Sequence, residues 1–354
     1  MLAKDTTSRP QRNGPARRDF RARQHRLCSR PMSGRASRSA RKGKTDRPRV
    51  GSLFAGIGGF DKAFEDAGFE VAWCVEWDKQ AQAVLRARFP HATIYGDITQ
   101  VSEKELRKKH GKVEVICGGF PCQDLSVAGH RKGLKGERSG LFFEAMRIVR
   151  GLEPQFALIE NVHGLLTSNR GHDFATLLRE MGEGWRCKEV AWRLLDSQFF
   201  DVPQRRERVF IVGSAREGSA AEVLALTDRS EGNPLPSRKA RAEAASGVRG
   251  FTPSQFANYR QGVGTLRANG GDLGGGSETL VVEPRKVTLK GGKKAIQPIV
   301  RKLTPVECER MHGFPDGWTA IDGAKDGVRY KQLGNAVTVN VAAWIAERMS
   351  RWLG

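Results

Sequence analysis

From about residue 50 onward, short apolar runs alternate with helical repeats of apolar residues. Val50–Phe54 is the first such run, and a glycine-rich turn and apolar residues at helical spacing from Phe60 to Ala67 follow it. Short strands that alternate with helices predict a doubly wound, mostly parallel α/β sheet. The further strands predicted are Val71–Val75, Thr93–Tyr95, Val113–Cys117, Phe156–Ile159 and Val209–Val212, and the further helices are Ala81–Phe89, Thr304–Met311 and Val339–Trp352.

Polar residues that can carry chemistry follow several of these strands. Glu76, Asp97, Cys122 and Glu160 each come at or just after the end of a predicted strand or its turn. Ligands of doubly wound sheets bind beyond the carboxyl ends of the strands. The pattern therefore predicts one cleft that contains all four residues. Between about 215 and 300 the alternation is lost and glycines interrupt brief apolar runs, which predicts a second, loop-rich unit with short strands.

Charge is concentrated at the start of the chain. The formal net charge is +21, and residues 1–49 hold 16 basic against three acidic residues, which leaves +8 for the rest. Residues 1–49 have almost no large apolar side chains, so we expect a disordered basic extension. It suits a nucleic-acid-binding arm, but Met32 is an equally good candidate for the true start, and an organelle transit peptide is a weaker alternative.

Composition excludes several classes of protein. No apolar run approaches the roughly 18 residues of a membrane-spanning helix. The six cysteines form no C-x-x-C pair, which argues against a disulfide scaffold or a zinc finger and favours a reducing cytosol.

The glycine turn after the first strand indicates a nucleoside cofactor. Gly56 and Gly58 allow backbone N–H groups to approach a ligand, although Asp61 occupies the third glycine position of the dinucleotide motif. Glu76 follows Gly56 by 20 residues, the usual spacing of an acid that binds ribose hydroxyls, and Trp77 can stack on an adenine. Taken alone, such a turn is as often structural.

Cys122 lies in a Gly-Gly-Phe-Pro-Cys turn after a predicted strand. An exposed cysteine there can act as a nucleophile in its thiolate form, whereas an isolated cysteine is more often a small buried residue. The basic, glycine-hinged stretch 129–138 suits a mobile lid that touches phosphates.

A carboxyl group and two arginines complete the predicted site. Glu160 can protonate a ring nitrogen if burial raises its pKa. Gln204, Arg206 and Arg208 alternate and therefore face one side of an extended segment, where the guanidinium groups can orient Glu160 and bind a base carbonyl. Taken singly, each arginine is more often part of a surface ion pair.

Eight motifs in this order resemble those of the DNA cytosine-5 methyltransferase family of bacteria and phages, and they span residues 50–354. They are FAGIGG (54–59), EWD (76–78), GD (96–97), GGFPCQDLS (118–126), ENV (160–162), QRRER (204–208), LTPVECERMHGFP (303–315) and QLGNAV (332–337).

The resemblance implies a role for each matching residue. Cys122 would add to carbon 6 of a flipped-out cytosine, Glu160 would bind ring nitrogen 3, and Arg206 and Arg208 would hold Glu160 and the base. No metal is required. The residues implied to surround S-adenosylmethionine are Phe54, Gly56, Gly58, Glu76, Trp77, Asp97, Asn335 and Val337. The residues expected to contact DNA are Ser126, Arg131, Lys132, Thr265 and Arg267.

The resemblance also implies the organisation of the chain and its partners. We expect a catalytic and cofactor-binding domain at 50–214, a target-recognition domain at 215–300 and a C-terminal return to the catalytic domain at 301–354. The expected substrate is double-stranded DNA, bound by a monomer in the bacterial cytosol, with a cognate restriction endonuclease as a functional partner. An RNA-directed relative on the same scaffold and a catalytically silent DNA-binding protein are the alternatives.

Overall fold

The computed structural model describes residues 47–121, 140–226, 250–253, 259–261, 280–288, 292 and 294–353. Most of the predicted basic extension therefore lies outside the described residues. The same holds for a group of predicted site residues, namely Cys122, Ser126, Arg131, Lys132, Thr265 and Arg267.

Seven strands form the central sheet, in the order β3-β2-β1-β4-β5-β7-β6. Their bounds are β1 Arg49–Leu53, β2 Glu70–Val75, β3 Thr93–Tyr95, β4 Val115–Gly118, β5 Phe156–Val162, β6 Glu189–Asp196 and β7 Glu207–Ser214. The pairs from β3 to β5 are parallel, and β7 runs antiparallel to both β5 and β6. The predicted doubly wound, mostly parallel sheet is confirmed. The strand order reverses between β1 and β4, which is where such sheets bind ligands.

Helices cover both faces of this sheet. Their bounds are α1 Gly59–Asp66, α2 Lys79–Arg88, α3 Glu103–His110, α4 Gly140–Leu152, α5 His172–Gly182, α6 Ser219–Leu224, α7 Pro305–Met311, α8 Asp326–Asn335 and α9 Val339–Ser350. Side chains of α1, α2, α6, α7, α8 and α9 pack on one face, and those of α3, α4 and α5 pack on the other. In the described part of the chain, no helix has the length and apolar character needed to cross a membrane.

The strands alternate between these two apolar layers, as the period of a strand requires. Val115 and Cys117 of β4 belong to the first layer, whereas Ile116 between them belongs to the second. Because both faces of the central strands are covered, these strands read as continuous apolar runs, and this is why their positions could be predicted from the sequence.

One strand is longer than predicted. The sequence placed the end of the fifth strand at Ile159, but β5 continues to Val162 because β7 pairs with it as far as the register Val162–Arg208. Glu160 and Asn161 therefore lie inside a strand, and their backbones are fixed by pairing on the β7 side.

A second sheet is built from strands that lie between residues 250 and 302, so it ends slightly beyond the predicted 215–300 unit. It has the order β11-β10-β8-β9, with bounds β8 Gly250–Pro253, β9 Tyr259–Gln261, β10 Leu280–Thr288 and β11 Lys294–Lys302. The antiparallel pair β10–β11 has nine residues in each strand, longer than the short strands predicted. Helix α6, at the start of the same region, packs its Ala220, Val223 and Leu224 into the core of the main sheet.

Candidate active site

A cleft of about 800 Å³ opens at the carboxyl ends of the parallel strands. Residues from the turn after β1, the end of β2, the segment after β4 and the strand β5 all line it. Helix α8 contributes the opposite wall through Val328, Lys331 and Gln332. The edge of the sheet thus brings together segments that are far apart in the sequence, as the strand-end pattern predicted.

Glu76 occupies one end of the cleft. Its Oε2 accepts a hydrogen bond of 2.7 Å from the backbone N of Gly56, and its Oε1 accepts one of 2.7 Å from the backbone N of Asp78. Burial raises the pKa of this carboxyl group, and the backbone donors oppose that shift. A carboxylate has about four acceptor sites, so Glu76 retains capacity for the hydroxyl groups of a sugar.

The surroundings of Glu76 suit a nucleoside. Trp77 is 74% exposed and presents an aromatic face at the rim. Asp97 lines the same end and accepts a hydrogen bond of 2.9 Å from the backbone N of Thr99, which fixes the start of a short 3₁₀ helix at Ile98–Gln100. Gly56 has a φ of +57° and no atom within 4 Å of the position where a Cβ would lie. These residues fit the S-adenosylmethionine that the sequence motifs imply.

The structure separates the predicted cofactor residues into two groups. Phe54, Gly56, Glu76, Trp77, Asp97 and Asn335 line the cleft. Gly58 and Val337 lie behind its wall instead. Gly58 is the N-cap of α1. Val337 packs against the start of α1, since a Cβ added at Gly59 would lie only 2.7 Å from the Cγ1 atom of Val337. These two residues shape the site from behind.

Glu160 and Arg208 meet at the other end of the cleft. Arg208 Nε lies 3.1 Å from Glu160 Oε1, and both side chains are largely buried, at 17% and 14% exposure. The pairing of β5 with β7 brings the two residues onto neighbouring strands. Arg208 can therefore orient the Glu160 carboxyl group through this ion pair.

Arg206 lines the same cleft as Glu160 and Arg208 and also contacts the segment around Asn335. Its guanidinium group donates to the backbone carbonyl oxygens of Gly334 at 3.3 Å and of Ala336 at 2.9 Å. The alternation inferred for Gln204, Arg206 and Arg208 assumed one extended strand, but β7 begins only at Glu207. These contacts make Arg206 a positioning residue for the turn that holds Asn335.

Asn161, to which the motifs assign no role, ties the segment that leads to Cys122 to β5. Asn161 is buried, and its Nδ2 donates to the backbone carbonyl oxygen of Phe120 at 3.2 Å. Its Oδ1 accepts a hydrogen bond of 2.8 Å from the backbone N of Val162. The signal in the sequence is its place beside Glu160, directly after a predicted apolar strand, where a buried amide needs a hydrogen-bond partner.

A buried histidine lies behind Arg206. His312 Nδ1 lies 3.1 Å from the carbonyl oxygen of Cys308, and its Nε2 lies 3.5 Å from Gln204 Nε2. Burial, helped by the charges of Arg206 and Arg208, lowers the pKa of His312 to about 3. The ring is therefore neutral near pH 7 and adds no charge beside the two arginines.

Solved structures share this architecture. A methyltransferase of Entamoeba histolytica, EhMeth, aligns over 88% of this chain and all of its own, with a TM-score of 0.61 and 17% identity. A putative DNA modification methyltransferase encoded within a prophage of E. coli aligns over 86% of this chain and 99% of its own, with a TM-score of 0.56 and 19% identity. At these identities the likeness establishes the fold alone, which this chain shares with these two methyltransferases.

Sequence comparison narrows this class to one family. The model of the C-5 cytosine-specific DNA methylases matches residues 49–241 and 240–351, so the chain belongs to that family. It is a DNA cytosine-5 methyltransferase, and the family implies S-adenosylmethionine as its methyl donor.

Several curated proteins are similar over most of the chain. The Type II methyltransferase M2.BsuMI of Bacillus subtilis is 33% identical over 315 residues, which cover 86% of this chain and 75% of that protein. M.HpaII of Haemophilus parainfluenzae is 31% identical, over 85% of this chain and 89% of its own length. M.HhaI of Haemophilus parahaemolyticus is 30% identical, over 83% of this chain and 91% of its own length.

Proposed function

We propose that this chain methylates carbon 5 of one cytosine within a specific duplex sequence, with Cys122 as the nucleophile and Glu160 as its partner on the base. The observation that carries the proposal is the Glu160–Arg208 pair at 3.1 Å, which lies in the same cleft as the Glu76 nucleoside-binding end. A base that enters beside Glu160 and a cofactor that enters beside Glu76 would lie in the same cleft.

Glu160 and Cys122 act together on the base. Ring carbon 5 of cytosine is a poor nucleophile because it belongs to an aromatic ring. Addition of the Cys122 thiolate to carbon 6, with Glu160 donating a proton to nitrogen 3, breaks that aromaticity and makes carbon 5 enamine-like. Arg208 fixes the Glu160 carboxyl group for this proton transfer. Once carbon 5 has taken the methyl group, its proton is lost to water and the Cys122 sulfur departs. The proton on nitrogen 3 then returns to Glu160, and the aromatic ring is restored.

The cofactor end supplies the methyl group. The residues that would hold S-adenosylmethionine are Glu76 at the ribose, Trp77 at the adenine, and the backbone around Gly56, with Asp97 and Asn335 beside them. When bound, S-adenosylmethionine carries its methyl group on a sulfonium, an electrophile suited to an enamine-like carbon. No bond in this scheme requires a metal ion.

Access to the base requires that the duplex release it. A cytosine in a stacked pair cannot reach a cleft, so the target is flipped out. We assign the region 215–300 to target recognition. The described ribbon β10–β11 supports this assignment because exposed cations such as Arg285, Lys286 and Lys294 suit phosphate contacts. Ser126, Arg131, Lys132, Thr265 and Arg267 remain predicted DNA contacts.

The names of the relatives suggest the biological setting. M2.BsuMI, M.HpaII and M.HhaI are Type II methyltransferases, so we place this chain in a restriction–modification system. In that setting the enzyme works as a monomer in the bacterial cytosol and protects the sites that a cognate endonuclease cuts.

Nucleoside analysis tests the proposal directly. The purified chain is incubated with deuterated-methyl S-adenosylmethionine and either plasmid DNA or transfer RNA, and the nucleosides are analysed by mass spectrometry. We expect label in 5-methyldeoxycytidine from the plasmid only. Label in the RNA would favour the RNA-directed alternative, and label in neither polymer would favour a silent DNA-binding protein. Bisulfite sequencing of the plasmid then gives the recognition site.

The Glu160→Gln variant tests the role of the carboxyl group. We expect its kcat to fall by about 10² to 10⁴, because an amide has no acidic proton to give to nitrogen 3. Glu183→Gln, at the exposed end of α5, is the matched control and should keep the wild-type rate. An equal rate for Glu160→Gln and wild type would remove Glu160 from the mechanism.

A further inference from the structure

The turn at residues 54–58, here called the cofactor turn, has an unusual backbone. Phe54 has a φ of +53°, Gly56 of +57° and Gly58 of +85°. Bulky L residues such as Phe54 rarely adopt the left-handed region, so the surrounding structure must hold the turn in this shape. Phe54, Gly56 and Ile57 line the cleft, and the shape of the turn therefore sets the shape of the site.

Strand β2 holds one side of the cofactor turn. The backbone N of Ala55 donates to the carbonyl oxygen of Val75 at 3.0 Å, and Gly56 N donates to Glu76 Oε2 at 2.7 Å. Both contacts fix the first half of the turn. The second half is closed by the backbone N of Gly58, which donates to the carbonyl oxygen of Ala55 at 2.9 Å, and this bond does not involve the carbonyl group of Ile57.

Trp318 holds that second half from the far end of the sequence. Its indole Nε1 donates to the backbone carbonyl oxygen of Ile57 at 2.8 Å, across 261 positions of the chain. Trp318 is 7% exposed and Ile57 is 1% exposed, so water cannot readily replace this donor. An unpaired buried carbonyl is costly, and the hydrogen bond accordingly favours this one shape of the turn.

The indole is itself held in place from several sides. It stacks on Phe314 with ring centroids 5.3 Å apart, and Phe89 meets it edge-on at 5.8 Å. The guanidinium group of Arg88 lies 5.3 Å from the ring centroid, and its Nε donates to the carbonyl oxygen of Trp318 at 2.9 Å. Phe89 also packs closely on Gly58 of the cofactor turn. The donor is therefore rigid relative to the turn.

We propose that Trp318 is a positioning residue for S-adenosylmethionine binding, because its indole N–H fixes the cofactor turn through the carbonyl group of Ile57. The inference rests on the proposed function, since it takes the Glu76 end of the cleft as the cofactor site. The proposal gives the segment 303–353 a second role in cofactor affinity. Asn335 of this segment lines the cleft itself, whereas Trp318 acts through the backbone of Ile57.

The Trp318→Phe variant tests this role, because it keeps an aromatic ring and removes the donor. Affinity for S-adenosylhomocysteine is measured by calorimetry, and KM for S-adenosylmethionine and kcat are measured on plasmid DNA. We expect the affinity to fall about tenfold, consistent with loss of one buried hydrogen bond, and KM to rise in parallel while kcat changes less than about twofold. The matched control is Trp185→Phe, which removes an indole donor to the carbonyl oxygen of Met181 on the other apolar layer.

The control separates positioning from general stability. Both variants lose an indole hydrogen bond, so both should lower the melting temperature, but only Trp318→Phe should weaken S-adenosylhomocysteine binding. Wild-type affinity in Trp318→Phe, or an equal loss in Trp185→Phe, overturns the proposal. Wild-type protein that binds no S-adenosylhomocysteine would instead contradict the proposed function.

A second variant covers the case in which Trp318→Phe does not fold. Arg88→Gln leaves the indole in the chain but removes the guanidinium group that holds the Trp318 carbonyl and covers its ring. We expect a loss of S-adenosylhomocysteine affinity of about threefold, smaller than that of the direct variant. An unchanged affinity in this variant would contradict the proposal.

Discussion

At the scale of single residues, the base end of the cleft depends on the absence of a side chain at position 119. A Cβ added at Gly119 would lie 2.8 Å from Glu160 Oε2 and 3.3 Å from the Glu160 carbonyl oxygen. Neither atom can move freely, because Arg208 holds the carboxyl group and β7 pairs with this part of β5. Gly119 is therefore required for the position of Glu160.

Gly119→Ala should lower kcat at least about tenfold, because it displaces the proton donor from its place beside Arg208. Gly182→Ala at the end of α5 is the matched control, since its added Cβ meets only Val190 Cγ2 at an ordinary 3.7 Å. Steady-state methylation of plasmid DNA by both variants is the measurement. A Gly119→Ala enzyme as fast as wild type would show that the carboxyl group has more freedom than the structure gives it.

Asp61 is a buried acid beneath the cofactor turn. It accepts hydrogen bonds from Ser52 Oγ at 3.3 Å and from Cys74 Sγ at 3.2 Å, and Glu65 and Cys117 are further titratable groups near it. Burial raises the pKa of Asp61 from 3.8 to about 7. The folded protein therefore retains a proton between about pH 4 and pH 7 that the unfolded chain releases.

The sign of the resulting pH dependence follows from this raised pKa. The stabilising contribution of Asp61 is complete below about pH 4 and is lost as the pH rises towards 7, by at most about 4 kcal/mol. The difference in free energy of unfolding between wild type and Asp61→Asn should therefore fall over that interval and level off above it. Urea unfolding at several values between pH 4.5 and pH 8.5 measures the difference; a constant difference would show that Asp61 does not titrate in this window.

At the scale of secondary-structure elements, α7 begins with a capping box. Thr304 Oγ1 accepts a hydrogen bond of 3.2 Å from the backbone N of Glu307, and Glu307 Oε2 accepts one of 2.7 Å from the backbone N of Thr304. Arg301 pairs with the same carboxylate, and hydrogen bonds from Arg301 lower the pKa of Glu307 to about 2. The Thr-Pro-x-Glu pattern in the sequence predicted this start because capping chemistry is local.

Thr304→Ala should lower the free energy of unfolding by about 1 kcal/mol, the usual value of a lost N-cap. Ser102→Ala is its control, because Ser102 is the N-cap of α3 and makes no side-chain capping hydrogen bond there. Urea unfolding of both variants at pH 7 gives the comparison. If both variants lowered the free energy of unfolding by the same small amount, the capping box would contribute no more stability than a helix start without side-chain capping.

Elements that depend on long-range pairing were harder to predict. The sequence does not predict strand β6, because this edge strand carries partly exposed residues, such as Trp192 and Arg193, and does not form an apolar run. The end of β5 was misplaced for a related reason, since Glu160 and Asn161 are polar and only their pairing with β7 makes them part of the strand. The pattern of apolar residues indicates which positions are buried. It therefore does not predict a strand correctly where function requires polar residues within that strand.

At the scale of the whole molecule, the cleft combines residues from nearly the full length of the described chain. The sequence could predict which strand ends converge, because parallel strands deliver their carboxyl ends to one edge. It could not predict which distant segment would close the opposite side, where α8 lines the cleft and Trp318 reaches Ile57. Those contacts depend on tertiary packing, for which a single sequence has no periodic signal.

The distribution of charge belongs to this scale as well. Most of the net +21 lies in residues 1–49, whereas the family match begins at residue 49. The assignment to DNA therefore rests on the family match and on the chemistry of the cleft. Bulk charge adds an electrostatic attraction to any nucleic acid and does not by itself distinguish DNA from RNA.

Covalent trapping tests the central claim most directly. A polymerase makes a duplex with 5-fluorodeoxycytidine in place of deoxycytidine, and the duplex is long enough to contain the recognition sequence whichever sequence that is. This duplex is incubated with the protein and S-adenosylmethionine. Fluorine at carbon 5 cannot leave as a proton, so the Cys122 sulfur cannot be released from carbon 6. After nuclease digestion, mass spectrometry of wild type should find a methylated fluorocytosine nucleotide attached to the peptide that contains Cys122, and Cys122→Ala should carry none. Recovery of wild-type protein without any attached nucleotide would contradict covalent methylation of cytosine by this site.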